Sequence, residues 1–284
     1  MFADCHTHLD QYADRELPGV LRRAREAGVG AIVLAGTTVE SSAQCVRLAR
    51  EHPMLLAGVG VHPSDLTGPL GREDVARLER LAASSHRVVC VSEVGLDFGP
   101  GSPDAAVQFQ AFREQVRLAR GLGLPIVFHS REAPGRPELH SEALRVLREE
   151  RGWEVGGAMH YFQADAATAR MCLDLGFLIS LGKPLLRMPH LQAIVADLPL
   201  NAIVLETDSF PQPFKAKREN WTEPRDVRAI AQRVADLKGL ELTEVEAATA
   251  ANLVAMVRRA GAAGPGEAMA RALGVGSPPH DDPR

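Results

Sequence analysis

Eight short runs of β-branched and apolar residues recur along this chain of 284 residues, and stretches with helical spacing separate them. No other feature of the sequence constrains the fold as strongly. The predicted strands are residues 2–6, 30–35, 55–60, 88–92, 125–129, 156–160, 177–180 and 202–206. Eight strands that each precede a helix or a long loop predict an α/β protein that forms a (β/α)8 TIM-like barrel in a single domain.

An open doubly wound sheet is the alternative fold for such an alternation. The G-x-G-x-x-G fingerprint expected after its first strand is absent, which disfavours it. We expect the barrel to span residues 1–260, with Asp104 and Thr243 as N-caps of two of its helices. Residues 261–284 are rich in Gly, Pro and Ala, which predicts a mobile C-terminal tail with at most one turn of helix.

The composition favours a cytoplasmic protein, which we expect to be a monomer. No apolar run is long enough to cross a bilayer, and the first residues lack the pattern of a secretory signal, so no membrane association is expected. The four cysteines show no paired spacing, which is typical of free thiols in a reducing compartment. The net charge of −4 implies that a polyanionic partner would need a local basic patch or bound metal.

Metal-binding residue types recur where the predicted strands end. The carboxyl ends of parallel barrel strands converge on one face, where the active sites of this architecture lie. The residues at these ends are His6, His8, His62, Glu93, His129, His160 and Asp208. We therefore expect them to line one pocket, although they are far apart in the chain.

Each of these residues also has a structural interpretation. An H-x-H pair places His6 and His8 on the same face of a strand, where they bind one ion together or are two satisfied core histidines. Glu93 and Asp208 follow runs of buried type, where an unpaired charge is costly, so each binds metal or pairs with an arginine. The other histidines lie before strands, inside helical stretches or in the tail, and we assign them no role: His52, His86, His140, His190 and His280.

Imidazoles mixed with carboxylates suit divalent zinc, manganese or magnesium. Four histidines and two carboxylates exceed the needs of one tetrahedral ion, so two divalent ions that share a carboxylate are the economical arrangement. Related two-metal barrels often carry a bridging lysine on strand four, where this chain has Glu93, so Glu93 is the candidate bridge. His62 is followed by Pro63 in a loop, which favours contact with substrate over metal binding.

Residues 215–233 form a candidate nucleic-acid surface. They hold six basic residues against three acidic ones, with Trp221 among them. The basic residues are Lys215, Lys217, Arg218, Arg225, Arg228 and Arg233. A basic loop with one aromatic residue is a surface on which a single-stranded end stacks. The alternative is a solvated helix start capped at Glu223 and Pro224.

The motifs DCHTHLD, GVHPSD, EVGLDF, LPIVFHSREA, MHYF, LETDSF and ATAANLVAMV together resemble the TatD family of metal-dependent deoxyribonucleases, over about residues 2–257. The resemblance implies a TIM-like barrel that binds two divalent cations. Carried over by position, it implies His6, His8 and Asp208 at one ion, His129 and His160 at the other, and Glu93 between them. It also implies that His62 contacts the substrate phosphate.

The expected function is therefore hydrolysis of DNA phosphodiester bonds, as an exonuclease on single-stranded ends. Water activated at the ions would attack the phosphorus, with Glu93 and Asp208 as catalytic residues and Asp208 accepting the proton. The alternative is hydrolysis of an amide or an ester, including aminoacyl esters on tRNA, at the same two-metal site. A silent metal-binding module is disfavoured because every proposed position carries a competent side chain.

Three segments depart from the family pattern. The segment after Glu93 carries GPGSP, which shortens or rearranges the loop. The family continues the histidine of strand six as H-C-F-S-G, where this chain has residues His160, Tyr161, Phe162, Gln163 and Ala164. After Asp208 the family has proline two residues on, where this chain has Phe210 followed by Pro211. These departures concern the preference for substrate and leave the metal-binding residues in place.

Overall fold

The chain folds into an eight-stranded parallel barrel. A computed structural model describes residues 1–132, 139–261 and 263–275. The strands are β1 Phe2–Thr7, β2 Val29–Ala35, β3 Leu55–Val59, β4 Val88–Asp97, β5 Ile126–Arg131, β6 Gly157–Met159, β7 Phe177–Leu181 and β8 Ile203–Leu205. Each strand pairs in parallel with the next along the chain, in the order β1 to β8. This topology confirms the predicted (β/α)8 TIM-like barrel.

The first strand meets the segment after the last one. A parallel bridge joins Thr7 to Ser209, and the backbone amide of Asp208 donates to the carbonyl oxygen of His6 at 3.0 Å. The amide of His8 donates to the carbonyl oxygen of Ser209 at 2.8 Å. These contacts place Asp208 beside the two histidines of the first strand.

Helices surround the barrel. They are α1 Leu17–Glu26, α2 Val39–Glu51, α3 Arg72–Ala83, α4 Ala105–Leu122, α5 Leu139–Glu149, α6 Ala166–Asp174, α7 Pro189–Asp197, α8 Val227–Lys238, α9 Leu242–Arg259 and α10 Ala263–Leu273. Asp104 caps α4 as predicted, since its side chain accepts a hydrogen bond from the amide of Ala106. The prediction for Thr243 is wrong, because Glu241 is the N-cap of α9.

Two strands extend two or more residues beyond their predicted ends. β4 continues to Asp97 and β5 to Arg131, because their second halves pair with each other through Gly95 and His129. Gly95 has a φ of +142°, and a Cβ atom at this position would lie 2.0 Å from the carbonyl oxygen of His129. Glycine therefore permits the close approach. Glu93 lies within β4 rather than after it, and His129 lies inside β5 rather than at its last residue.

The expectation of at most one turn of helix after residue 260 is wrong within the described residues. Residues 263–273 form α10, in which Met269 is fully buried and Ala268, Ala270 and Leu273 are nearly so. The helix packs with α9 against small residues near the strand starts, such as Ala3 and Ala31. Burial of this apolar side of α10 outweighs the low helix propensity of its glycines. Residues 276–284 lie outside the described part of the chain.

Within the described residues, no helix is both long and apolar enough to cross a bilayer. All four cysteines are buried free thiols, as their spacing predicts: Cys5, Cys45, Cys90 and Cys172. Burial raises the pKa of each thiol.

Candidate metal centre

A cavity of about 740 Å³ opens at the carboxyl ends of the strands. Six of the seven residues predicted for the site contribute to its wall: His8, His62, Glu93, His129, His160 and Asp208. The seventh, His6, is fully buried, and its ring stacks on that of His160 with the centroids 3.6 Å apart. The structure thus brings together all seven residues.

Glu93 lies at the centre, and its two carboxylate oxygens face different histidines. Oε2 is 3.4 Å from Nε2 of His6 and 3.6 Å from Nε2 of His8. Oε1 is 3.0 Å from Nδ1 of His129 and 3.4 Å from Nε2 of His160. The carboxylate therefore separates two groups of imidazoles, which is the geometry required of a bridge between two ions.

The electrostatics of the cavity keep Glu93 ionised. Burial alone would raise the pKa of this carboxyl, but the imidazoles of His160, His62 and His6 hold it well below the usual range. An ionised carboxylate that is almost inaccessible to solvent requires nearby positive charge. In the absence of metal, protonated His8 and His160 supply that charge, since the pKa of each is raised.

His160 is oriented by a buried carboxylate that the sequence analysis missed. Its Nδ1 atom lies 3.0 Å from Oε2 of Glu206, which is inaccessible to solvent. Glu206 also accepts hydrogen bonds from the amide of Tyr161 at 2.8 Å and from the hydroxyl of Ser180. When the ring of His160 is neutral and Nδ1 donates to Glu206, Nε2 faces Glu93 with its lone pair. The signal was the acidic residue at the end of strand eight in LETDSF.

His129 has an equivalent carboxylate partner, which was also missed. Its Nε2 atom lies 3.1 Å from Oδ2 of Asp97, and its Nδ1 atom faces Glu93. Asp97 also accepts from the amide of Gly99 at 2.7 Å and from Nε of Arg131 at 3.0 Å. Burial opposes ionisation of Asp97, yet the hydrogen bonds from His129 and Gly99 lower its pKa below the usual range. Carboxylates behind histidine ligands fix the ring tautomer in metal sites.

Asp208 and His8 form a pair at the edge of the cavity. Oδ1 of Asp208 lies 3.3 Å from Nε2 of His8. Burial would lower the pKa of His8, but Asp208 and Glu93 raise it to about 9. Burial would raise the pKa of Asp208, but His8 and His160 lower it to about 2. The backbone of Asp208 has a φ of +50°, a left-handed conformation that aspartate tolerates better than most residues.

His6 shows that a divalent ion fits this site. Both of its ring nitrogens are buried, and neither has a hydrogen-bond partner within the described residues. Nδ1 of His8 is in the same situation. An unsatisfied buried polar group costs about 1–3 kcal/mol, so a lone pair of His6 directed at an ion would remove a real penalty. The donor set of imidazole nitrogens and carboxylate oxygens is that of a divalent transition-metal site.

His62 differs from the other histidines. Its Nδ1 atom accepts a hydrogen bond from the amide of Ser64 at 3.1 Å, and its Nε2 atom lies 3.5 Å from Oε1 of Glu93. Because Nδ1 accepts, the proton of a neutral ring resides on Nε2. Nε2 is then a hydrogen-bond donor towards the cavity, which suits contact with an anionic substrate and not metal binding.

His140, to which the sequence analysis assigns no role, lies in the cavity wall. Its Nδ1 atom is 2.8 Å from the hydroxyl of Ser130, the residue after His129. Tyr161 also lines the cavity, at the position where the chain departs from the family pattern. No pattern in the sequence indicates His140, since it lies at the start of α5 and not at a strand end.

The predicted stacking role of Trp221 is wrong. Its ring packs against the core, and the guanidinium of Arg218 lies 4.1 Å from its centroid. Two of the basic residues grouped with it belong to α8 and have other partners: Arg228 lies over the ring of Phe2, and Arg233 donates to Gln192. The predicted patch is therefore not one surface.

Comparison with known proteins decides the family. Residues 3–258 match a family model described as TatD related DNase. The chain belongs to the TatD family. The TatD-family relatives include "Uncharacterized metal-dependent hydrolase YabD" of Bacillus subtilis, 31% identical over 265 residues, with 91% of this chain and 99% of the relative covered. They also include "3'-5' ssDNA/RNA exonuclease TatD" of Cronobacter turicensis, 34% identical over 248 residues, with 84% and 90% covered.

The fold agrees with that of solved TatD structures. YJJV, a TatD homolog from Escherichia coli K12, superposes with a TM-score of 0.80 at 26% identity, covering 90% of this chain and 97% of its own. A TatD-family hydrolase from Entamoeba histolytica superposes with a TM-score of 0.76 at 20% identity, with 90% and 97% covered. The TatD-family chain is therefore a metal-dependent hydrolase, with clusters of histidine and carboxylate side chains able to bind metal.

Proposed function

We propose that this TatD-family protein hydrolyses phosphodiester bonds of single-stranded DNA from one end, with two divalent ions in the cavity. The observation that carries the proposal is the division of the histidines by the two oxygens of Glu93. Two ions about 3.5–4 Å apart suit displacement at phosphorus, because both the attacking and the leaving oxygen need stabilisation. Relatives named as exonucleases support a nucleic acid as the substrate.

The side chains divide the work of binding the ions. His6, His8 and Asp208 would hold one ion, His129 and His160 the other, and Glu93 both. Bound there, the ions supply the Lewis acidity that activates water and neutralises charge on the phosphate oxygens. Asp97 and Glu206 hold the rings of His129 and His160 in the orientation that binding needs.

His62 and Asp208 act on the substrate and the water. Nε2 of His62 donates a hydrogen bond to a phosphate oxygen and so orients the scissile bond. The side chain of Asp208 is 23% exposed, and its low pKa keeps it ionised at neutral pH. Asp208 accepts the proton of the attacking water, since it is more exposed than Glu93, the other carboxylate within 4 Å of Nε2 of His8.

A digestion ladder tests the proposal. A single-stranded oligonucleotide labelled at one end is incubated with the protein and manganese, with EDTA as the control. We expect stepwise shortening from one end that EDTA abolishes, and no shortening by Glu93→Ala. Cleavage of amide or ester substrates with intact oligonucleotides would overturn the phosphodiester assignment.

We also propose that the protein acts in the cytoplasm. Its four cysteines are all buried free thiols, and none of them forms a disulfide bond. Such usage is typical of proteins in a reducing compartment.

A further inference from the structure

The loop between β8 and α8, residues 206–226, carries an aromatic pair at the mouth of the cavity. Phe210 lines the cavity wall together with Asp208. The ring of Phe214 lies 6.5 Å from that of Phe210, centroid to centroid, and is tilted from it by 40°. Phe214 is 73% exposed, more than any other large hydrophobic side chain in the described residues. The exposed ring of Phe214 thus offers a flat apolar face to a ligand next to Phe210.

The backbone around the pair is held in place. The hydroxyl of Tyr12 donates to the carbonyl oxygen of Phe210 at 3.2 Å. The side chain of Gln212 is buried and accepts from the amide of Thr222 at 2.9 Å. The two phenylalanines are thus presented on an anchored loop, so little ordering is required when a ligand binds.

The segment that carries the pair is basic in sequence, although Asp208 precedes it and Arg218 is ion-paired with Glu223. Residues 209–218 contain three basic side chains and no acidic one. Lys217 is exposed and makes no ion pair with any described residue, whereas Nζ of Lys215 donates to the carbonyl oxygen of Asn220. Aromatic faces interleaved with cations are the recurring surface for single-stranded nucleic acids, in which bases stack and phosphates meet the charges.

We propose that Phe210 and Phe214 form a platform on which a nucleobase of the substrate stacks, next to the phosphodiester held at the metal centre, with Lys217 on a phosphate of the same strand. The inference rests on the proposed function and adds a base-binding site to it. A base is free to stack on the ring only when it is unpaired, so the platform selects single strands over duplexes. A broad protein interface is disfavoured because the apolar surface is confined to one exposed ring flanked by lysines.

Two single-stranded oligonucleotides of equal length distinguish the contribution of base stacking from that of all other contacts. One is oligothymidylate, and the other carries the same phosphates with an abasic residue at each position. We expect Phe214→Ala to lower kcat/KM on oligothymidylate by about tenfold, since stacking of one base on an aromatic ring is of that size. On the abasic strand the same substitution changes kcat/KM by less than about twofold, since no base is present to lose the contact.

Two further variants complete the design. Phe214→Trp keeps a stacking face and retains activity on oligothymidylate, whereas Phe214→Leu keeps only an apolar side chain and loses it. Trp153→Ala removes an exposed aromatic side chain from the segment before β6, at the other end of the barrel, and leaves both strands unaffected. An equal fall on both strands, or none on either, overturns the platform.

Equilibrium binding tests the platform without turnover. Labelled strands are titrated with the metal-free protein in EDTA, which prevents turnover without altering any residue of the site, and binding is followed by fluorescence anisotropy. The substitution Phe214→Ala should weaken binding of oligothymidylate about tenfold and leave the abasic strand unchanged. If the wild type cleaves neither strand, the proposed function fails, yet this binding difference still supports or overturns the platform.

Discussion

Nδ1 of His160 lies 3.0 Å from Oε2 of Glu206, and both side chains are buried at the end of the barrel. The carboxylate is shared with the amide of Tyr161, which donates to Oε1, and with Ser180. Burial would lower the pKa of His160, but Glu206 and Glu93 raise it to about 10. Glu206 thus determines which nitrogen of His160 is available to an ion.

We expect Glu206→Gln to weaken metal binding by about 10- to 100-fold. The NH₂ group of the glutamine would replace one of the two carboxylate oxygens. In one orientation it would face the N–H group of His160, and in the other the backbone N–H group of Tyr161. The conflict disturbs the ring that must present Nε2. Competition with a chromophoric chelator measures the affinity, with the surface substitution Glu154→Gln as the control. An affinity equal to that of the wild type would show that Glu206 does not orient the ligand.

Asp208→Asn should lower kcat by about 10²- to 10⁴-fold, the usual contribution of a group that accepts a proton. Asparagine tolerates the left-handed backbone at this position, so the melting temperature should stay close to that of the wild type. Asp208→Ala should lose both activity and stability, because alanine disfavours that conformation. Turnover by Asp208→Asn within a few-fold of the wild type would exclude the assigned role.

Binding of metal at pH 7.5 should release protons. In the metal-free protein the pKa of His8 is raised to about 9 and that of His160 to about 10. Both rings are therefore positively charged imidazolium groups at this pH. A histidine must be neutral to bind an ion, hence about two protons per chain should leave. Calorimetry in buffers of different ionisation enthalpy measures this number. Heats that do not depend on the buffer would contradict the protonated state.

Met269→Ala should lower the free energy of unfolding by about 2–5 kcal/mol, because it removes a fully buried side chain of α10. Arg271→Ala on the exposed side of the same helix should change it by less than about 0.5 kcal/mol. Urea unfolding compares the two. Since α10 lies at the end of the barrel away from the cavity, the folded Met269→Ala protein should retain the kcat of the wild type.

The barrel and the seven predicted site residues were accessible to sequence reasoning for one physical reason. Strands buried on both sides appear as continuous apolar runs, so a polar side chain at the end of a run is conspicuous. His160 and Asp208 stand out in this way. The barrel topology places the carboxyl ends of all strands on one face. The site can therefore be predicted before any distance between side chains is known.

The partners of these residues were not accessible in the same way. Asp97 supports His129 only because Gly95 allows β4 and β5 to pair beyond their predicted ends. Glu206 was visible as an acidic residue, but its partner is 46 residues away in the chain, and only the folded barrel brings the two together.

Helix α10 and Trp221 show a second limit. The alanines and glycines of α10 give it the composition of a flexible linker. Only its packing against the strand starts distinguishes this helix from a linker. The ring of Trp221 is covered by Arg218, whereas Phe214 on the same loop is exposed. The sequence shows that aromatic residues are present, but tertiary contacts decide which of them faces solvent.

The most direct test of the metal centre is an anomalous difference map from a crystal of the manganese-loaded protein. The account predicts two peaks about 3.5–4 Å apart, one on each side of the Glu93 carboxylate, with His6 and His8 at one and His129 and His160 at the other. A cavity without anomalous density, or a single peak that Glu93 does not contact, would contradict it.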